Sequence, residues 1–331
     1  MKKDLIVTLI DQKYIDSAKV LFSSIYFNSG WKGDYMLLSH ELPEKELKWF
    51  RDKGILVKKC KPLSDKNFGC QPPVWLSVFY MFTPEFRKWK NIIYLGADCV
   101  VRASLDKLTE IRGIAAVETR FDWKLGNYFL SHAEAKSRGM YSLSNSLRKN
   151  YNLKRRAFTP SPFVFSTDII KDDTFSKIMR LAKKYRNITV MADESILNLF
   201  FYKKCKMLPV VYCIWPFNGL IDKKRLEKKG VKSIVIYLMG NTSKWKEKNC
   251  FYSEWKHNLD RADLIDLNRR LPPKKVWSDW EIWFNSTFFF DPVCFIKFNI
   301  KPNISAVKGF MRSAFPKQYN RLNIIYKKYK R

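Results

Sequence analysis

Short apolar runs alternate along the first 240 residues with segments whose apolar positions recur every three or four residues. The runs at 5–10, 35–38, 55–57, 91–101, 114–117, 163–165 and 234–238 predict strands, several of them buried on both faces. Between them, residues 17–28 put Ala18, Leu21, Phe22 and Ile25 on one helical face, and Pro43 ahead of Glu44 and Glu46 opens a short helix. Helices are also expected over 73–82, 104–111, 173–185 and 193–202. Strands taking turns with helices predict an α/β fold, a mixed sheet flanked by helices on both faces. Periodicity weakens from about residue 122 to 156, a segment expected to fold over the ligand crevice or to hold a helix there.

Composition narrows the class. A chain of 331 residues that is 46% hydrophobic can bury a sizeable core. Its opening residues carry only a short apolar run that ends at Asp11, so they read as a first strand and not as a signal peptide. No apolar stretch approaches the roughly 18 residues needed to span a bilayer. Seven widely spaced cysteines, without a C-x-x-C, fit reduced thiols in a cytoplasmic protein. A formal charge of +31 attracts polyanions of any kind, among them nucleic acid, anionic lipid and phosphorylated ligands. No helix-turn-helix, RNA-recognition signature or zinc finger is present, so specific nucleic-acid binding is not expected; unspecific, salt-sensitive binding is the competing class.

Candidate chemistry begins where the run at 91–101 is interrupted by one acidic residue, Asp98. A carboxylate at the end of a core strand is held rigidly where α/β sheets bind ligands, although the same residue could begin a turn or cap the following helix. Asp193 and Glu194 start a helix, where acids also suit the helix dipole. Gly240 and Lys244 follow the last strand. A glycine there admits close backbone approach to a phosphate, and the lysine neutralises it.

In that order these residues resemble glycosyltransferase family 8, the glycogenin-like and lipopolysaccharide galactosyltransferase-like retaining enzymes of GT-A fold. The resemblance covers roughly residues 4–250. It rests on Val7-Thr8-Leu9-Ile10-Asp11-Gln12-Lys13-Tyr14, on Tyr94-Leu95-Gly96-Ala97-Asp98 in place of Y-L-D-A-D, and on residues 158–165 in place of F-N-x-G and a strand. Asp193-Glu194-Ser195-Ile196-Leu197-Asn198 stands for D-Q-x-x-L-N, and Tyr237 to Lys244 for H-x-x-G-x-x-K-P-W. The resemblance implies a nucleotide-sugar donor bound, through its diphosphate or sugar, by Ile10, Asp11, Tyr14, Gly96, Asp98, Thr159, Gly240 and Lys244; Asp193 and Glu194 are the candidate catalytic carboxylates, with Glu194 standing where the family often has glutamine and able to stabilise or trap an oxocarbenium-like centre. It also implies a Mn²⁺ or Mg²⁺ ion held by both D-x-D aspartates and the late histidine. Here Gly96 and Tyr237 replace two of those ligands, leaving Asp98 as a weak metal ligand or no ion at all. Thr159 replaces the sugar-contacting asparagine. Two readings follow: an active, metal-poor retaining transferase, or a decayed one that binds nucleotide sugar, glycan or a partner transferase.

The chain divides at about residue 250 into a transferase domain (1–250) and an aromatic, basic extension (251–331). Trp277, Trp280 and Trp283, with Lys327, Lys328, Lys330 and Arg331, suit the headgroup zone of an anionic membrane or an acceptor surface. A packed aromatic cap with a solvated basic face is the plainer alternative. The setting implied by the resemblance is bacterial surface-polysaccharide or lipopolysaccharide assembly, on a glycan or lipid-linked acceptor, at the inner face of the plasma membrane.

Overall fold

The computed structural model describes residues 2–68, 71–119, 123–215, 231–238 and 251–287. Its frame is a seven-stranded sheet in the order β3-β2-β1-β4-β7-β6-β8. The strands are β1 Leu5–Ile10, β2 Asp34–His40, β3 Leu56–Cys60, β4 Asn91–Tyr94, β6 Ile114–Glu118, β7 Phe158–Ser166 and β8 Cys205–Leu208. β1, β2, β3 and β4 run parallel, β7 runs antiparallel between β4 and β6, and β8 pairs parallel with β6. β1 shows why both faces are buried. Ile6 and Ile10 join one hydrophobic cluster, with α1 (Ile15–Asn28) and α2 (Glu44–Asp52), while Leu5, Val7 and Leu9 join the other. That second cluster also takes in the 3₁₀ segment Pro73–Phe82, α5 (Thr174–Tyr185) and α6 (Ala192–Phe200). Two short helices, α3 (His132–Ser137) and α4 (Tyr141–Asn150), lie in the stretch where periodicity weakens.

Several elements differ from the sequence expectation. The run at 91–101 is two strands: Cys99 N–H bonds back to Gly96 C=O at 3.0 Å, the chain leaves the large sheet, and β5 (Cys99–Val101) pairs antiparallel with β9 (Val235–Tyr237). Residues 104–111 hold only a 3₁₀ turn, Asp106–Glu110, because Ser104 Oγ accepts the Asp106 N–H (3.1 Å) and Thr109 Oγ1 bonds to Asp106 C=O (2.6 Å), local bonds that compete with a helix. Residues 73–82 wind as 3₁₀ and stop at Thr83, which Pro84 holds in extended backbone. β7 is longer than the apolar triplet 163–165. It carries Pro160 and Pro162 by bulging: the β6 partner shifts from Phe163 to Thr159 between Ala116 and Val117, so residues 160–162 leave the ladder and no N–H is missed. β8 was unmarked because its lysine and exposed methionine break the apolar pattern of an edge strand.

The residues after 250 extend the core. Helix α7 (Tyr252–Asp260) packs on α1, and Phe251, Ile265, Trp277 and Ile282 join the first cluster. Glu254 receives the Arg102 Nε–H at 2.7 Å and a second guanidinium N–H from the same side chain. Helix α8 (Asp279–Thr287) follows. Trp277 is only 6% exposed, with Lys275 over its ring, which corrects its assignment to a membrane or acceptor surface: its indole is needed for packing.

Candidate active site

The sheet's connectivity makes a crevice. From β1 the chain moves outward to β2 and β3, then returns to β4 on the other side of β1, a switch point where the loops after β1 and β4 diverge and leave a cleft at the strands' carboxyl ends. Because β7 runs the other way, its first residues overhang the same edge. Tyr94 pairs with Phe163, so Thr159, Pro160 and Ser161 project beyond β4. The cleft is lined by Ile10, Asp11, Lys13 and Tyr14 after β1, by Pro72, Val74 and Trp75, by Tyr94, Gly96, Ala97 and Asp98 after β4, by Thr159, Pro160 and Ser161, by Asp193 and Glu194, and by Tyr237.

Local structure holds each group. Asp11 caps a 3₁₀ turn by accepting the Lys13 N–H at 2.9 Å, which brings Tyr14 to the wall; its phenol is raised by burial and then by the Asp98 and Asp11 carboxylates. The bulge places Ser161 Oγ to accept the Gly96 N–H at 2.8 Å, 3.3 Å from Cys99 Sγ. Gly96 has no need of unusual backbone. Its requirement is space, since a Cβ there would lie 3.1 Å from Ser161 Oγ, 3.2 Å from Asp98 Oδ1 and 3.5 Å from the Tyr237 ring.

Across the cleft, the first turn of α6 presents two carboxyls. Thr159 Oγ1 donates to Glu194 Oε1 at 3.2 Å, and the buried Tyr128, whose hydroxyl is 2.7 Å from Thr119 Oγ1, lies close by. Asn198, one turn on, ties α6 to β7. Its side-chain carbonyl accepts the Phe158 N–H (2.9 Å) while its amide donates to the Phe158 and Glu194 carbonyls (2.8 and 2.9 Å). Ser195 Oγ donates to Tyr128 C=O at 3.0 Å, fastening the other side of the helix.

Burial dominates the electrostatics. It pushes Asp98 up to about 7 and Glu194 to about 7, and burial followed by the neighbouring Glu194 charge pushes Asp193 to about 8. None of the three carboxyls pairs with a cation among the described residues. Tyr94 and Tyr237 are held well above the usual phenol range, by burial first and by these carboxylates second. A rigid pair of carboxyls facing a third across a half-open cleft is an arrangement suited to stabilising positive charge at a reacting carbon.

The sequence pattern of glycosyl transferase family 8 matches residues 5–249, the part of the chain that builds this cleft. The chain belongs to glycosyl transferase family 8. It is 24% identical over 292 residues to the glycosyltransferase GlyB of Streptococcus pneumoniae serotype 4, a match covering 78% of this chain and 64% of GlyB. Among solved structures it resembles the apo form of the bifunctional glycosyltransferase WbbM, with a TM-score of 0.57 and 17% identity over 80% of this chain and 52% of that one. It also resembles the galactosyltransferase LgtC solved with donor and acceptor sugar analogs, at 0.51 and 13%, over 83% and 98%. This family 8 protein shares the GT-A fold of those structures, and it spans less than two thirds of GlyB and about half of WbbM.

Family 8 enzymes typically use a divalent metal, and the residues at the expected positions do not fit one. Gly96, Asp98 and Tyr237 do lie side by side, but they supply one carboxylate, a bare backbone and a neutral phenol in place of two carboxylates and an imidazole. Among the described residues no three His, Cys, Asp or Glu side chains are placed to hold an ion.

Of the other residues singled out in the sequence, Ile10, Asp11, Tyr14, Asp98, Thr159, Asp193 and Glu194 meet in the cleft. Gly240, Lys244, Lys327, Lys328, Lys330 and Arg331 lie outside the described residues. Trp280 and Trp283 are 64% and 58% exposed on α8, with Trp280 stacked on Phe284 at 4.9 Å. Sequence reasoning missed Trp75, Tyr128 and Thr119. Thr119 precedes and Tyr128 lies within the stretch of weak periodicity, and the only signal for Trp75 was a hydrophobic segment that reads equally as core.

Proposed function

We propose that the cleft binds a nucleotide sugar, UDP-linked, and that the enzyme moves its hexose to a glycan or lipid-linked acceptor with retention of configuration. The observation that carries this reading is the meeting of Asp11 and Tyr14, Asp98, Thr159 and the Asp193–Glu194 pair at the switch point, where each arrives from a different element. On this reading Asp98 faces the diphosphate, Thr159 and Asp193 orient the sugar, and Glu194, held by Thr159, faces the anomeric carbon. There it stabilises an oxocarbenium-like centre or traps it briefly. Retention and the donor class come from the family resemblance.

The setting we propose is surface-polysaccharide or lipopolysaccharide assembly, with the enzyme peripheral on the inner face of a bacterial plasma membrane. Supporting this are the net charge of +31 and the exposed Trp280 and Trp283 on α8; no helix among the described residues is long and apolar enough to cross a membrane. In this proposal residues 1–250 carry the transfer and 251–331 the contact with membrane or acceptor.

The test is a panel of UDP-sugars scored for binding and for hydrolysis or transfer. Wild-type protein should bind at least one of them, and Asp98→Ala, with an unchanged circular dichroism spectrum, should lose turnover by about 100-fold or more. Unaltered kinetics in that variant would remove Asp98 from the donor site.

A further inference from the structure

Resting on the nucleotide-sugar reading, we propose that this donor site works without the family's divalent ion: Tyr237 and Gly96 leave the ion's corner with Asp98 alone, and side-chain cations, Lys13 among them, meet the charge of the diphosphate. The geometry is specific about the pairing. Tyr237 lies opposite Cys99 in the β5–β9 ribbon, and the neighbouring Leu238 N–H bonds to Asp98 C=O at 2.8 Å, so the tyrosine is brought beside Asp98 by backbone register and not by a flexible arm. Its ring edge is 3.5 Å from where a Cβ of residue 96 would stand, and Ser161 Oγ and Asp98 Oδ1 would be nearer still. An aspartate at 96 would have to send its carboxylate past these atoms. Ser161 and Asp98 therefore crowd position 96 most closely, with the Tyr237 ring in ordinary contact behind them, and both departures from the family pattern fall in this one corner.

At the histidine's place Tyr237 offers a phenol ring and no imidazole nitrogen, and at the first aspartate's place Gly96 offers no side chain. One carboxylate remains, and that is a poor cage for Mn²⁺ or Mg²⁺. The work left undone is neutralisation of the leaving group. In the transfer, the bond from the anomeric carbon to the diphosphate oxygen breaks with its electron pair on the oxygen, the acceptor oxygen bonds to that carbon, and the acceptor's proton passes to the departing diphosphate. A fixed cation near that oxygen lowers the barrier as an ion would. Lys13 lines the cleft on the turn after β1 and has no ion-pair partner among the described residues, so its charge is available to a ligand.

The experiment is calorimetric titration of the full chain with UDP, once in Mn²⁺ and once in EDTA, together with electron paramagnetic resonance of added Mn²⁺. Wild-type protein should bind UDP within about twofold in the two conditions and should leave Mn²⁺ free, while Lys13→Ala should weaken UDP about tenfold in EDTA. Gly96→Asp with Tyr237→His should gain Mn²⁺ binding that Gly96→Asp alone does not. UDP affinity of the wild type falling tenfold or more in EDTA would overturn the proposal, and that measurement needs no variant to fold. Absence of UDP binding in either condition would sink the donor reading itself, and this inference with it.

Discussion

Asp193 is nearly enclosed and lies beside a second carboxyl, so its proton is held far more tightly in the folded chain than in the unfolded one. A carboxyl whose folded pKa is raised, here to about 8, destabilises the fold as pH climbs from the unfolded value near 4 through that figure. Thermal unfolding of Asp193→Asn should accordingly show a gain over wild type at pH 8 that shrinks toward pH 5; an equal shift at both would contradict the burial argument. Glu194 acts in its ionised form on the proposed mechanism. The transfer rate should rise as pH passes through about 7, and Glu194→Gln should lose that limb along with about 100-fold in rate. Both acids were legible in the sequence as a pair at a helix start. Their burial was not, because first-turn acids on a surface helix look the same; what decides is Tyr128, 66 residues earlier, closing over them.

Among elements, α6 and β7 form one device. Asn198 pairs with both backbone groups of Phe158, so the helix that carries the acids and the strand that carries Thr159 and Ser161 move together. Asn198→Ala leaves two buried backbone groups unmet and should cost about 2 kcal/mol in urea unfolding, with a loss of transfer activity at urea concentrations where the fold is still intact. Strand β1, helix α1 and the ribbon of parallel strands could be read from hydrophobic runs because each obeys a single period. The overhang of β7 could not. Its prolines read as the end of a strand, and the bulge that accommodates them depends on β6, which is distant in the chain.

At the scale of the whole molecule, the aromatic ridge of α8 and the surplus of positive charge point outward together. Full-length protein should cosediment with vesicles rich in anionic lipid and release as salt is raised, and Trp280→Ala with Trp283→Ala should reduce the bound fraction several-fold, about 1 kcal/mol or more in affinity. Equal binding to neutral vesicles, or none lost in the double variant, would detach α8 from that role. Burial divides the aromatic residues here: Trp277, ahead of α8, and Ile282 are core while Trp280 and Trp283 are exposed, and only the packed fold shows which side chains turned in.

The ion pair between Arg102 and Glu254 has a practical corollary. The family 8 pattern ends at residue 249, yet the guanidinium that leaves β5 finds its carboxylate beyond that limit, and Phe251 and Ile265 plug the same cluster. Whoever trims the gene at the family boundary would strand a half-buried cation and uncover greasy surface, and should recover insoluble material in place of a minimal enzyme.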